Sequence, residues 1–226
     1  MTKGKIFVLC LFLATVGFMV EAQDTIALPS PRYDSEMSVE QALNSRKTVR
    51  QFKAEAIELG ELSQLLWAAG GGMFDGVTSA TRTYPSAGGI YPLGIYVVAG
   101  WVAEVDSGIY QYLWKDHALK RVKSGDFRQP LASVALRQGF IAQAPVIFII
   151  TANYRRTEGK YGQRGRDRYV PLDAGHASQN LHLQAAALNL ATATVGAFSD
   201  GGVNRILNLD DEEPILIIPV GRPLDE

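Results

Sequence analysis

The chain has 226 residues, 47% of them hydrophobic and 20% charged, with 22 Lys and Arg against 23 Asp and Glu. That balance gives no electrostatic reason to expect nucleic acid as a partner, and the length suits one compact domain with a sizeable core. The single cysteine, Cys10, lies in an apolar N-terminal run, so the rest of the chain has no disulfide and no thiolate metal site, and redox chemistry would need a cofactor.

Lys3 and Lys5 precede an almost unbroken apolar run over residues 6–20, and Val20-Glu21-Ala22 places small or aliphatic residues where a signal peptidase reads. The pattern predicts a secretory signal peptide over residues 1–22, cleaved near Ala22. The product is then exported, periplasmic or secreted, with no stable membrane span. A retained anchor is the alternative, but the run is short for a span of ~20 residues. Cleavage removes Lys3, Lys5 and Glu21, leaving 204 residues with 20 basic against 22 acidic.

Residues 23–36, with Pro29 and Pro31, read as a linker or extended arm before a domain over residues 37–226. Ser38-Val39-Glu40-Gln41 has the form of a capping box and starts a helix. A second helix carries Leu59, Leu62, Leu66 and Ala69 at helical spacing and stops at Gly70-Gly71-Gly72. A strand is predicted over residues 94–99, and a hairpin from residues 108–113 and 118–122 around Lys115-Asp116-His117. Residues 126–138 can form a helix broken near its start by Pro130, and residues 145–151 form an apolar strand suited to the middle of a sheet. Residues 174–199 contain no charged side chain. Their first part, to about Leu190, reads as a helix buried on most sides, best explained by a subunit interface. Residues 214–220 give a last apolar strand. This order indicates an α+β sandwich and by itself fits several folds.

The histidines do not suggest a metal site: His117 falls in a turn, while His176 and His182 are six apart on a helix, off the i, i+4 spacing. His176 reads as a buried polar residue at the helix start. Tyr91, Tyr96, Tyr110 and Tyr112 read as core and interface aromatics.

Four ordered segments resemble the nitroreductase family, and within it the SagB-type dehydrogenase branch, which includes thiazoline and oxazoline dehydrogenases. They are Ser45-Arg46-Lys47-Thr48-Val49-Arg50-Gln51-Phe52, Thr83-Tyr84-Pro85-Ser86-Ala87-Gly88-Gly89-Ile90-Tyr91-Pro92, Leu172-Asp173-Ala174-Gly175-His176-Ala177-Ser178-Gln179-Asn180-Leu181, and Val195-Gly196-Ala197-Phe198 with the later Pro219-Val220-Gly221-Arg222-Pro223. The resemblance implies an α+β nitroreductase-like fold, with a mixed central sheet flanked by helices, and a homodimer with FMN at each subunit interface. Arg46, Lys47 and Arg222, with the Thr48 hydroxyl, have the chemistry to hold a phosphate. Arg50 stands where the family places a cation beside the flavin N1–C2=O edge. Pro85, Ser86, Ala87 and Gly89 belong to a loop whose small residues let backbone approach a flat ring, and Ser86 can bond to the ribityl chain or pyrimidine edge. Gly196 and Ala197 match the place where a backbone N–H meets flavin N5. Thr194 departs from the family, standing where many relatives carry proline.

Lys160-Tyr161 resembles the Lys-Tyr pair of azoline-oxidising members, where proton removal accompanies two-electron loss. The alternative is a basic surface loop, since Arg155, Arg156, Arg164, Arg166 and Arg168 fall in the same glycine-containing stretch. The resemblance implies an FMN-dependent oxidoreductase passing two electrons through flavin N5, on a small molecule or a modified peptide. Export to a place without NADH or NADPH favours the dehydrogenase or oxidase direction. NAD(P)H-dependent nitro or quinone reduction is the alternative, as is an extracytoplasmic binding protein of this fold without redox turnover.

Overall fold

The computed structural model describes residues 25–75 and 79–224; the signal segment expected over residues 1–22 lies outside the described residues. Chain order is β1 (Thr25–Ala27), α1 (Val39–Ser45), α2 (Leu59–Gly70), β2 (Gly72–Asp75), β3 (Ser79–Arg82), β4 (Leu93–Ala99), β5 (Gly108–Leu113), β6 (Ala118–Ser124), α3 (Arg128–Val134), α4 (Phe140–Gln143), β7 (Val146–Ala152), α5 (Tyr154–Tyr161), α6 (Val170–Ala187), β8 (Ala191–Thr192), α7 (Asp200–Leu207) and β9 (Glu213–Gly221). Seven strands make one sheet in the order β1-β6-β5-β4-β7-β9-β8, and β2 pairs with β3 as a separate hairpin.

The apolar runs of β4 and β7 lie at the centre of the sheet, and every residue of β7 is buried. Side chains alternate faces along a strand. Leu93, Ile95, Val97, Phe148 and Ile150 meet α2 and α6 through Leu62, Leu66, Ala177 and Leu181. Tyr96, Val98, Ile147 and Ile149 meet α3, α4 and α7 through Leu131, Ile141, Val203 and Leu207. The result is helices on both faces of one sheet, the α+β architecture expected. Pairings between the named strands are all antiparallel. The parallel component of the expected mixed sheet is confined to isolated bridges, Thr48 to Thr192 and Ile57 to Val102.

Several local expectations change. The arm docks as β1 on the sheet edge, pairing Ile26 with Leu119. Pro130 does not break α3, because it is the third helical residue and its missing N–H would have had no partner there. Pro171, likewise in a first turn, lets α6 begin at Val170, before the uncharged stretch. The basic stretch is not a loop: α5 runs to Tyr161, Gly162 turns with φ of 58°, and Gly165–Tyr169 forms a π-helical segment leading directly into α6. His176 is exposed, whereas His182, six residues further along the helix, is buried. Of the four tyrosines, Tyr96, Tyr110 and Tyr112 are buried in the core and Tyr91 is half-buried.

Candidate functional site

One group of predicted residues forms at the end of α1. The Ser38 hydroxyl accepts from the Gln41 N–H at 3.2 Å and Gln41 Oε1 accepts from the Ser38 N–H at 2.7 Å, closing the capping box that starts the helix. Arg46 caps its other end, with its N–H on the Ala42 carbonyl. The chain then runs beside β8, where the Val49 N–H donates to the Thr192 carbonyl at 2.9 Å. Arg46 and Lys47 line a recess of about 190 Å3 with His182 and Thr192. Lys47, Thr48 and Arg50 line an adjoining one of about 400 Å3, and Val49 and Pro223 border both.

Arg50 lies over the Phe140 ring, 5.7 Å from its centroid. Nearby, Gln138 donates to the Ala197 carbonyl at 3.2 Å. Gly196 and Ala197 are exposed, and among the described residues neither N–H bonds to another backbone group. Arg222 behaves differently from the sequence expectation. Its guanidinium donates to both Glu61 oxygens, at 2.9 and 3.1 Å, with Glu55 at 3.5 Å, so its charge is already matched by carboxylates.

A second group forms at the other end of α6. Pro85 to Pro92 is a loop around a 3-10 turn, Ala87–Gly89, in which Gly88 and Gly89 take φ of 61° and 66°. Buried Arg82 and half-buried Thr83 bind its entry to α2, donating to the carbonyls of Gly70 and Trp67, and Arg156 donates to the Ile90 carbonyl at its exit. The Ser86 hydroxyl donates to Asp173 Oδ2 at 2.5 Å and accepts from the Tyr91 N–H at 2.9 Å. It therefore has no proton left for a ligand and can serve one only as an acceptor, a narrower role than expected.

Lys160 and Tyr161 join this loop. A Cβ placed on Gly88 would lie 2.5 Å from the Tyr161 hydroxyl and 2.7 Å from Lys160 Nζ. Tyr161 packs edge-on against Tyr169, centroids 5.0 Å apart. Pro85, Ser86 and Ala87 share a recess of about 290 Å3 with Tyr169, Asp173 and His176. Arginines of the basic stretch are engaged elsewhere: Arg155 with Asp211, and Arg166 with Glu213 and Glu158.

The two groups do not meet within one chain. Asp173 and Ala186, which mark them on α6, are thirteen residues apart, about 20 Å at helical rise.

Sequence reasoning missed Asp173 and His182. Burial raises the Asp173 carboxyl above its ordinary range, and hydrogen bonds from Ser86 and the Ala87 N–H, with His176 nearby, offset part of this. Burial, then the charge of Arg46, lowers His182 from 6.5 to about 4. Its Nδ1 meets Thr192 Oγ1, and its Nε2 lies 2.6 Å from Thr194 Oγ1. The available signal for His182 was a histidine within residues 174–199, a stretch without Lys, Arg, Asp or Glu.

The Nitroreductase family model matches residues 43–222. A nitroreductase-like protein of Methanocaldococcus jannaschii is 41% identical over 204 residues, covering 89% of this chain and 99% of its own length. The solved structure of a nitroreductase-like protein from Ralstonia eutropha is 28% identical with a TM-score of 0.78, over 90% of this chain and 91% of that one. A chain of the Escherichia coli microcin synthetase McbBCD complex, solved with truncated pro-MccB17 bound, shares the fold at 21% identity and TM-score 0.69, over 98% of this chain and 85% of that one.

Proposed function

The chain belongs to the nitroreductase family, and we propose that it is an FMN-dependent oxidoreductase, active as a homodimer after export and cleavage near Ala22. Nitroreductases are generally flavin-dependent oxidoreductases. The observation that carries the FMN assignment is the pair of adjoining recesses walled by Arg46, Lys47, Thr48 and Arg50. The donor set fits a phosphate and an electron-rich ring edge: a guanidinium, an ammonium and a hydroxyl from Arg46, Lys47 and Thr48, and the Arg50 guanidinium braced on Phe140. When bound, FMN supplies two-electron chemistry at N5, and the protein supplies binding, orientation and charge.

A homodimer accounts for two further features. Helix α6 leaves Leu172 52% exposed, together with His176 and Gln179. Beside it, an apolar groove of about 310 Å3 runs along Met37, Val39, Trp67, Met73 and Leu183. A second copy would cover this surface. It could also bring the Pro85 loop of one subunit to the Arg46 recess of the other, uniting groups that lie about 20 Å apart in one chain.

Within that reading, the SagB-type resemblance and the convergence of Lys160 and Tyr161 on Gly88 support substrate oxidation rather than reduction driven by NAD(P)H. Lys160 Nζ or the Tyr161 hydroxyl would take a proton from a small molecule or modified peptide as it loses two electrons. Export supports the same direction, because NADH and NADPH are not supplied outside the cytoplasm.

The test is to purify the mature chain and release its ligand by heat. Stoichiometric FMN from a yellow dimer is the expected result. A colourless protein that takes up no added FMN would overturn the assignment and favour a binding protein of the same fold. Rapid anaerobic reduction of the bound flavin by NADPH would overturn the oxidative direction.

A further inference from the structure

Three side chains under the Arg46 recess form a continuous polar line: Thr192 Oγ1, the His182 imidazole and Thr194 Oγ1. Thr192 is 2% exposed and His182 8%, while Thr194 is exposed. We propose that this line is a one-way hydrogen-bond chain, in which the Thr192 hydroxyl donates to His182 Nδ1 and His182 Nε2–H donates to Thr194. The Thr194 hydroxyl proton is thereby turned toward whatever occupies the site.

The direction follows from counting protons. A doubly protonated ring could donate to both threonines, but burial and the neighbouring Arg46 charge oppose it. A neutral ring has one N–H and one lone pair, so one threonine must donate and the other accept. Among the described residues the Thr192 hydroxyl has no other hydrogen-bond partner. If it accepted, its own proton would be buried without an acceptor, an arrangement folded proteins avoid. Thr192 therefore donates, Nδ1 carries the lone pair and Nε2 the proton. Thr194, with its acceptor side occupied by Nε2–H, is left to donate into solvent or to a ligand.

Thr194 stands two residues before Gly196. In sequence its hydroxyl precedes Gly196 and Ala197, both exposed and, among the described residues, with N–H groups that bond to no other backbone group, so this exposed segment carries three donors. A ring with acceptor atoms along its edge matches such a segment, and assigning that ring to flavin rests on the FMN reading above. His182 is then a positioning residue: it acts on the ligand only through Thr194.

The direction can be measured without any ligand. In the full mature chain labelled with 15N-histidine, long-range proton–nitrogen correlation at pH 7 should show His182 as the Nε2–H tautomer, with His182→Gln identifying its signals. An Nδ1–H tautomer or an imidazolium at that pH would overturn the chain. The outward donor is tested by FMN titration. Thr194→Val should raise the dissociation constant between about three- and tenfold, the range for one lost hydrogen bond, whereas Thr194→Ser should stay near wild type. Equal binding by wild type and Thr194→Val would overturn the outward donor. If wild type takes up no FMN, the FMN reading falls, and the tautomer alone decides the chain.

Discussion

Ser86 gives its hydroxyl proton to Asp173 across 87 residues of sequence, the two oxygens 2.5 Å apart. The same carboxyl accepts from the Ala87 N–H, so one side chain of α6 fixes the first turn of the loop that carries Gly88 and Gly89. Asp173 is 3% exposed as a residue, at the wall of the recess that it shares with Pro85 and His176.

Replacing Asp173 with Ala strands both donors. A hydrogen bond to a charged group contributes roughly 1.5–3 kcal/mol, and urea unfolding should show a loss of that order, with faster amide exchange at Ala87. The pH dependence has a definite sign. The Asp173 carboxyl is raised by burial, so the folded state binds this proton more tightly than the unfolded state. Its contribution is therefore fully present below about pH 4 and lost as pH rises through the folded value. Asp173→Asn should remove that part of the slope, read as the difference between the two proteins' urea midpoints at pH 4 and pH 7.

Gly88 and Gly89 offer an internal control. Both have positive φ, so alanine at either carries a similar backbone penalty of roughly 1 kcal/mol. Only at Gly88 does a Cβ meet Lys160 and Tyr161; at Gly89 it meets nothing within 4 Å. Gly88→Ala should therefore displace that pair and lower substrate oxidation well beyond Gly89→Ala, with similar melting temperatures. Equal activities would separate Lys160 and Tyr161 from the chemistry.

Much of the fold was legible because its signals are local. The Ser38 capping box, the 3.6-residue spacing of α2 and the apolar run of β7 are each read within a dozen residues. The boundaries that failed involve backbone detail. Pro130 resembles a breaker until it is seen to fall in a first turn, and the glycines of the basic stretch hid a helix that turns only at Gly162. In the site, motif residues were found by pattern, but their engagement was not. Ser86 pairs with Asp173 and Arg222 with Glu61 across 87 and 161 residues, and no local signal specifies such partners.

The Arg222 pairing changes what its removal should do. Among the described residues the Arg46 guanidinium faces no carboxylate, while Arg222 is matched by Glu61 and Glu55. Arg46→Ala should weaken FMN binding severalfold or more, since it removes an unmatched cation. Arg222→Ala should act mainly on stability, by about 0.5–1 kcal/mol for a half-exposed ion pair. Glu61→Gln should, if anything, tighten FMN by partly releasing Arg222. A larger loss of FMN from Arg222→Ala than from Arg46→Ala would reverse the assignment of the phosphate end.

His182 predicts an acid limit to stability. Its folded value, lowered from 6.5 to about 4 by burial and Arg46, means that the unfolded chain binds this proton more readily. The stabilisation is complete above about pH 6.5 and is lost progressively as pH falls toward 4. The two values correspond to roughly 3 kcal/mol across that window. His117, which burial also lowers, adds slope of the same sign. Wild type alone therefore does not isolate His182, but comparison with His182→Gln does. The variant should be less stable at pH 7, where it loses the bridge between Thr192 and Thr194, and should lose much less on acidification. Urea unfolding of both at half-unit steps from pH 7 to pH 4 reads the difference. Parallel curves would show that His182 takes up its proton equally in the folded and unfolded states, so that its imidazole is not held neutral by the fold.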